Sequence, residues 1–437
     1  MSGTRLVIVD GVRTPFSKMG TDLAHLGADE LGRIAVSALL AKTGLDPATI
    51  DEVIFGCVAQ PADAANVARV IALRAGIPEH VPAITVHRNC ASGCEAITQA
   101  HEKMLAGRGS IFVVGGAESM SQVPLLYSYS AAQKFTRLAR SKSLAQRLSA
   151  IAAFRPSDFQ PRIGLQLGLT DPVCGLNMGD TAEVLAREFE ISRELQDSFA
   201  LESHARAVAG QEKLAQEICP VYPTLPTAGM RSKSSDPVAA DNGPRKEQTM
   251  EALAKLRPVF DKKTGTVTAG NSSQITDGAV ALLVMTEQKA AELNMRPLGI
   301  LSGYAYAGCD PVRMGLGPVF AIAKAEQRTG LTLEHADLIE LNEAFAAQAL
   351  AVLKCLRSDE FAVKFLKRSR PVGKVPKDRL NVNGGAIALG HPVGATGARL
   401  VLTSLKELER RQAKRALVSL CVGGGQGAAL WLERPVI

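Results

Sequence analysis

Short apolar runs recur along the chain at 6–9 (LVIV), 53–56 (VIFG), 83–86 (AITV) and 111–114 (IFVV). A second series follows at 279–285 (AVALLVM), 338–341 (LIEL), 416–421 (ALVSLC) and 428–432 (AALWL). Runs this short and this apolar read as strands buried on both faces. Between many of them apolar positions return every three to four residues, as at 28–43, 64–75 and 394–410, the period of a one-sided helix. Buried strands alternating with helices predict a layered α/β architecture.

The pattern also repeats. TGLDPATIDEVIFG (43–56) aligns without gaps on TGLTLEHADLIELN (329–342), matching Asp51 to Asp337 and Val53/Phe55 to Ile339/Leu341. IFVVGG (111–116) is similar to LVSLCVGG (417–424), each read as a strand ending in paired glycines. Two copies of one α/β unit account for both; chance similarity of helix–turn–strand segments is the alternative. A different stretch, about 122–276, separates the halves. Within it, 134–155 places Phe135, Leu138, Leu144, Leu148, Ile151 and Phe154 at helical spacing beside Lys134, Arg137, Arg140, Lys142, Arg147 and Arg155. This predicts a basic amphipathic helix with a break near Ser141–Ser143. Such a helix either meets a membrane surface or partner protein, or packs on its own domain with solvated charges. Farther on, 223–245 reads as a loop.

Composition narrows the picture. A chain of 437 residues is too long for one small core, so two or three domains are expected. A net charge of +7 suits anionic partners. No zinc-finger spacing, basic-region heptad or RNA-module signature accompanies it, which argues against nucleic acid. The eight cysteines form no CxxC, and the seven histidines do not join them at metal spacing, so neither a disulfide framework nor a metal site is expected. With no signal-like apolar stretch and no 18-residue apolar run, the expectation is a soluble, cytoplasmic protein.

Four segments carry candidate chemistry. Cys90 follows the 83–86 strand, and Ala91, Ser92 and Gly93 open the next helix. A thiol at a helix start meets the positive dipole end and free N–H groups, which favour thiolate and could hold an oxyanion. Cys94 lies one turn deeper and reads as packing. For Cys90 the alternative is the same: a small buried hydrophobe. His391 stands in a Gly-His-Pro turn among glycines and could take a thiol proton; an ordinary turn histidine is its alternative. Cys421 ends a strand before Gly423, Gly424 and Gly425, where a second thiol could shuttle a proton beside exposed amides; a tight strand-to-strand turn is the alternative. Asn342 closes a strand, either as a helix N-cap or as the holder of a catalytic water.

The motifs NCASGCEA around Cys90, GGAESMS (115–121), GTVTAGNSSQITDGA (265–279), MGLGP (314–318), NEAF (342–345), GHPVGATGAR (390–399) and CVGGGQG (421–427) resemble the thiolase family nearly end to end. The resemblance implies two duplicated halves forming a five-layer αβαβα core. These would be residues 1–121 with 277–296, and 297–437, with an inserted loop domain at 122–276. It implies Cys90 as the acylated nucleophile, His391 as its activator and Cys421 as the acid/base at the acetyl-CoA carbanion. Asn342, through a water, and His391 would form one oxyanion hole, and the amides of Cys90 and Gly423 another. Arg245, Ser273, Met314, Ala344 and Phe345 would contact CoA or substrate. No cofactor is implied beyond coenzyme A as substrate. The reaction implied is thiolytic cleavage of 3-oxoacyl-CoA in fatty-acid β-oxidation; condensing acetoacetyl-CoA chemistry is the alternative.

The basic insert, DNGPR…LAKLRPVF and RSDEFAVKFL (357–366) resemble the β subunit of fatty-acid oxidation complexes, the 3-ketoacyl-CoA thiolase type. That implies a homodimer or tetramer, an enoyl-CoA hydratase/3-hydroxyacyl-CoA dehydrogenase subunit as partner, and peripheral membrane contact. Asn342 follows the broader family, not the histidine often found in that subgroup. Asn177 and Ala252 replace a histidine and a serine of many short-chain biosynthetic members.

Overall fold

The structure, a computed structural model, describes residues 5–222 and 236–435. Of the stretch 223–245, residues 223–235 therefore lie outside the described residues. In the first half β1 (Leu6–Arg13), α1 (Ala28–Thr43), β2 (Glu52–Gly56), α2 (Val67–Arg74), β3 (Ala83–Val86), α3 (Ser92–Leu105) and β4 (Ile111–Glu118) follow one another. The intervening segment carries α4 (Tyr129–Arg140), α5 (Leu144–Ala152), α6 (Met178–Glu188) and α7 (Arg193–Ala209), and then β5 (Thr276–Thr286) returns to the sheet. The second half supplies β6 (Gly299–Gly308), α8 (Gly317–Thr329), β7 (Leu338–Leu341), α9 (Ala346–Leu356), α10 (Val393–Arg411), β8 (Arg415–Val422) and β9 (Gln426–Glu433).

These strands hydrogen-bond in the order β7-β8-β9-β6-β1-β5-β4-β2-β3. The two halves meet in this sheet only where Val7 pairs with Ile300 and Ile8 with Gly299. On either side of that seam the path is the same. β3-β2-β4-β5-β1 answers an isolated bridge at Leu380 followed by β7-β8-β9-β6. The repeat seen in the sequence is thus a repeat of structure, down to single atoms. Asp51 Oδ2 accepts the amides of Ser110 and Ile111, and Asp337 Oδ2 accepts those of Lys414 and Arg415. Gly44 and Gly330 end α1 and α8 with φ of 64° and 72°, a left-handed cap that glycine adopts without strain. The second proposed match is corrected by this register. Ile111 answers Arg415, so Gly115 and Gly116 lie inside β4, whereas Gly423 and Gly424 lie in the turn after β8.

Alternate side chains of the strands face different layers, as a two-residue period requires. Val280, Leu282 and Val284 of β5 pack inward with α3 and α10. Ala279, Ala281, Leu283 and Met285 pack outward with α1 and α2. In the second half Ile339, Leu341, Leu417 and Trp431 pack outward with α8 and α9. The layers are α1/α2, sheet, α3/α10, sheet, α8/α9. Glycine makes the central layer this thin: a Cβ on Gly116 would lie 1.9 Å from the Gly394 carbonyl oxygen, and one on Gly93 2.6 Å from the Ala398 nitrogen. The basic 134–155 segment is a helical hairpin, α4 and α5, broken at 141–143 where Ser143 caps α5. Phe135, Phe154 and Phe159 cluster at its base, while Leu144, Leu148 and Ile151 are exposed. Among the described residues no helix is long and apolar enough to cross a membrane.

Candidate active site

The parallel strands β2, β3 and β4, and separately β7 and β8, end toward loops that hold the candidate residues, the place where sites form in such sheets. Cys90 lies in the connection from β3 to α3, directly after Asn89, whose φ is +42°. The amides of Ala91 and Ser92 are taken by the carbonyls of Arg88 and Asn89. The free amides expected from the helix start are therefore fewer. Two reach the Cys90 sulfur, its own and that of Gly423 on the other half. Both favour the thiolate, but burial and the charge of Glu118 oppose them, and burial dominates, so the Cys90 pKa is raised. The helix start alone does not generate the expected thiolate; a base has to.

His391 is suited to that role. It is 8% exposed, and burial, with the nearby Arg399 charge, pushes its pKa down to about 4. It is therefore neutral near pH 7. The glycine before it has φ +97°, and the His391 amide donates to the Gln274 carbonyl. Its Nδ1 lies 2.6 Å from Thr396 Oγ1, and that hydroxyl donates its one proton to the Pro392 carbonyl at 3.0 Å. The threonine oxygen thus accepts from Nδ1–H, leaving Nε2 with its lone pair. Nε2 is buried and has no partner.

Cys421, at the end of β8, is 1% exposed. Burial first, and then the neighbouring Cys90, push its pKa well above the ordinary thiol value. It remains protonated at neutral pH and can act as an acid. Met314 and Ala344 pack on it, with Met178 and Phe345 at the margin. Asn342 follows β7, the neighbour of β8, and its amide donates to the Ser419 carbonyl. Its side chain is fully buried, and neither its Oδ1 nor its Nδ2 has a partner. It does not cap α9, which begins at Ala346 after Phe345. A buried amide with no protein partner suits a water or substrate oxygen. Ser273 joins this group through its amide, which donates to the Ala344 carbonyl.

Arg245 stands apart from the sulfurs. It is exposed, its amide bonds His204 Nδ1 at 3.2 Å, and its charge acts on Lys18. Gly243, two residues before it, lies against Ala388 of the His391 segment, so the basic pair is on the rim of the same region. Cys94 is fully buried, packed on α10. Asn177 caps α6, accepting from the Gly179 amide at 3.1 Å.

Sequence reasoning passed over three residues here. Thr396 orients His391. Glu118, buried at the end of β4, accepts from the amides of Val58, Ala59 and Gly394, joining the first half to the start of the helix behind His391. Asn89 donates from Nδ2 to the Gly423 carbonyl at 2.7 Å. A hydroxyl one turn past His391 was the one signal available in the sequence; the other two act across hundreds of positions.

Residues 6–288 match the family "Thiolase, N-terminal domain" and residues 295–434 "Thiolase, C-terminal domain". The chain is 42% identical over 434 residues to the 3-ketoacyl-CoA thiolases of Yersinia enterocolitica and Serratia proteamaculans, covering 99% of this chain and 97% of each of those. Among solved structures it is similar to the human mitochondrial 3-ketoacyl-CoA thiolase in complex with CoA, with a TM-score of 0.84, 35% identity, and coverage of 99% and 98%. The Bacillus anthracis acetyl-CoA acetyltransferase superimposes with a TM-score of 0.85 and 36% identity, covering 99% of each chain.

Proposed function

Because the chain belongs to the thiolase family, we propose that it is an acetyl-CoA C-acyltransferase cleaving 3-oxoacyl-CoA with CoA in fatty-acid β-oxidation. His391 Nε2 takes the Cys90 proton. The thiolate adds to the 3-keto carbon, and the new oxyanion is held by hydrogen-bond donors rather than by bulk water. The bond between carbons 2 and 3 breaks, and Cys421 gives its proton to the departing acetyl-CoA carbanion. Cys421, now a thiolate, takes the proton of the incoming CoA thiol. The CoA sulfur attacks the acyl-Cys90 thioester and carries off the shortened acyl group, and His391 returns its proton to the departing Cys90 sulfur.

The observation that carries this reading is that Cys90 and Cys421, from different halves, share one site beside the Gly423 amide. One thiol has amides aimed at its sulfur; the other is held protonated by burial. Met314, Ala344 and Phe345 supply an apolar wall for the acyl chain. Arg245 and Lys18 offer positive charge to the phosphates of CoA. The test is intact-mass measurement after mixing with 3-oxoacyl-CoA, followed by peptide mapping. An acyl adduct on Cys90, absent in Cys90→Ala, is expected; turnover by Cys90→Ala at the wild-type rate would reject the mechanism. Cleavage rates against chain length separate this reading from acetoacetyl-CoA chemistry in the condensing direction, for which activity on acetoacetyl-CoA alone would speak.

The enzyme acts as a homodimer or tetramer in a reducing, cytoplasmic compartment, where its eight free cysteines stay reduced. The hairpin α4–α5, with exposed Leu144, Leu148 and Ile151 beside Arg137, Arg140 and Arg147, is the surface offered to a hydratase/dehydrogenase subunit or a membrane. Neutralising those three arginines weakens binding to a purified partner subunit or to anionic vesicles; unchanged binding of both removes this role.

A further inference from the structure

The amide that Gly423 presents to Cys90 sits in a turn of three consecutive glycines, Gly423–Gly425, between β8 and β9. Such a turn has no side chain to hold it, and glycine has more backbone freedom to lose than any other residue. Gly424 and Gly425 also adopt φ of +86° and +78°. Yet an oxyanion donor has to be placed within tenths of an ångström to be worth its full effect. Something outside the turn must fix it.

Three contacts do. The Cys309 amide donates to the Gly425 carbonyl at 2.7 Å. Arg88 Nη1 donates to Gln426 Oε1 at 3.2 Å, while its Nε binds Glu95 and its guanidinium lies 4.1 Å from the centre of the Tyr306 ring. Asn89 Nδ2 donates to the Gly423 carbonyl at 2.7 Å. The last contact differs from the others in reaching the residue whose amide faces the sulfur. It also comes from the residue next to Cys90. Asn89 has φ +42°, a region that asparagine tolerates better than other side chains. Its carbonyl is fixed by the Ser92 amide at 3.0 Å and the Ser92 hydroxyl at 2.7 Å. One residue thus sets the peptide that carries the Cys90 amide with its backbone, and with its side chain the Gly423–Gly424 peptide, one Cα from the Gly423 amide.

We propose that Asn89 is a positioning residue of the reaction, tying the three-glycine turn to the nucleophile loop so that the Cys90 and Gly423 amides converge on one oxyanion. The proposal rests on Cys90 carrying the acyl group.

Two variants of the full chain test it. Asn89→Gly keeps access to the left-handed backbone and removes the donor. Asn89→Asp keeps the shape and backbone preference but turns an acceptor toward the Gly423 carbonyl. Thiolysis is measured for kcat and KM, and iodoacetamide labelling of Cys90 is followed against pH by peptide mass. Loss of a well-placed oxyanion donor costs about 10²–10³ in kcat, so a displaced one should cost about tenfold or more, with KM little changed. The labelling midpoint should move to higher pH, because the Gly423 amide no longer favours the Cys90 thiolate; a merely structural residue would not move it. Wild-type kcat and midpoint in Asn89→Gly overturn the proposal. If that variant does not fold, a folded Asn89→Asp with wild-type kcat overturns it equally. A wild type whose Cys90 is never acylated defeats the catalytic reading and this proposal with it, whereas normal acylation with unaffected variants defeats the role of Asn89 alone.

Discussion

His391 Nδ1 lies 2.6 Å from Thr396 Oγ1, and the threonine proton is spent on the Pro392 carbonyl. This pair decides which face of the imidazole is basic. Thr396→Val removes the acceptor, frees the ring and leaves a buried N–H unpaired. The expected loss in kcat is about ten- to hundredfold, a part of the 10²–10⁴ that a positioned base supplies. Thr396→Ser should retain most of the activity. Steady-state kinetics of both variants check this, and a Thr396→Val enzyme with wild-type kcat would refute the assignment.

The same imidazole makes stability depend on pH. Its pKa is about 4 in the fold against 6.5 when free. Between those values the unfolded chain binds more protons than the folded one, so stability rises with pH across the window and is lost as pH falls through it. The contribution is on the order of 3 kcal/mol. Urea unfolding at about pH 7 and about pH 4.5 should show a smaller loss for His391→Asn than for the wild type.

Glu118→Gln is expected to act in two directions. The carboxylate accepts from three backbone amides, and the amide replacement leaves at least one of them facing a donor. The cost is about 1–3 kcal/mol in thermal or denaturant unfolding. Glu118 also raises the Cys90 pKa by its charge, so labelling of Cys90 should set in at lower pH in the variant. A midpoint unmoved or moved upward would contradict the electrostatic link.

Gly116→Ala and Gly423→Ala make a matched pair. The first would place a methyl 1.9 Å from the Gly394 carbonyl oxygen, forcing β4 away from α10. At least about 1–3 kcal/mol of overpacking is expected. At Gly423 the nearest atom is Met178 Sδ at 3.4 Å, an ordinary contact. Melting temperatures should fall sharply for the first and little for the second.

Much of the fold was legible because most of its strands are short apolar runs; β7 is buried on both faces as expected, whereas β3 is an edge strand whose Ile84 is 42% exposed. The runs at 83–86 and 338–341 and the helix at 28–43 coincide with the elements of the structure. β6 was not, since GILSGYAYAG mixes glycine and tyrosine on a partly exposed strand and presents no apolar run. The shared aspartates Asp51 and Asp337 revealed the duplication, whereas the paired glycines misled, because glycine serves close packing in β4 and turn geometry after β8. At the site the reactive side chains stand in distinctive local patterns. Their supports do not: Asn89 meets Gly423 only through the association of the two halves, and nothing in either segment encodes the other. The net raising of the Cys90 pKa was equally hidden, since desolvation depends on what surrounds the thiol and not on the helix it precedes.

The strand pairs β4–β5 and β8–β9 hold equivalent places in the two halves, yet the second closes through Gly423–Gly425 and the first only after everything between Glu118 and Thr276. Local pairings form before distant ones, because closing a long loop costs entropy before any contact rewards it. The hairpin that bears Cys421 and the Gly423–Gly425 turn therefore has by far the shorter loop to close, though it lies in the later half of the chain. β1, made first, must wait for β5. Within the first half, β2, β3 and β4 pair with near neighbours in the chain, so the long closure falls on β1 and on the β4–β5 pair alone.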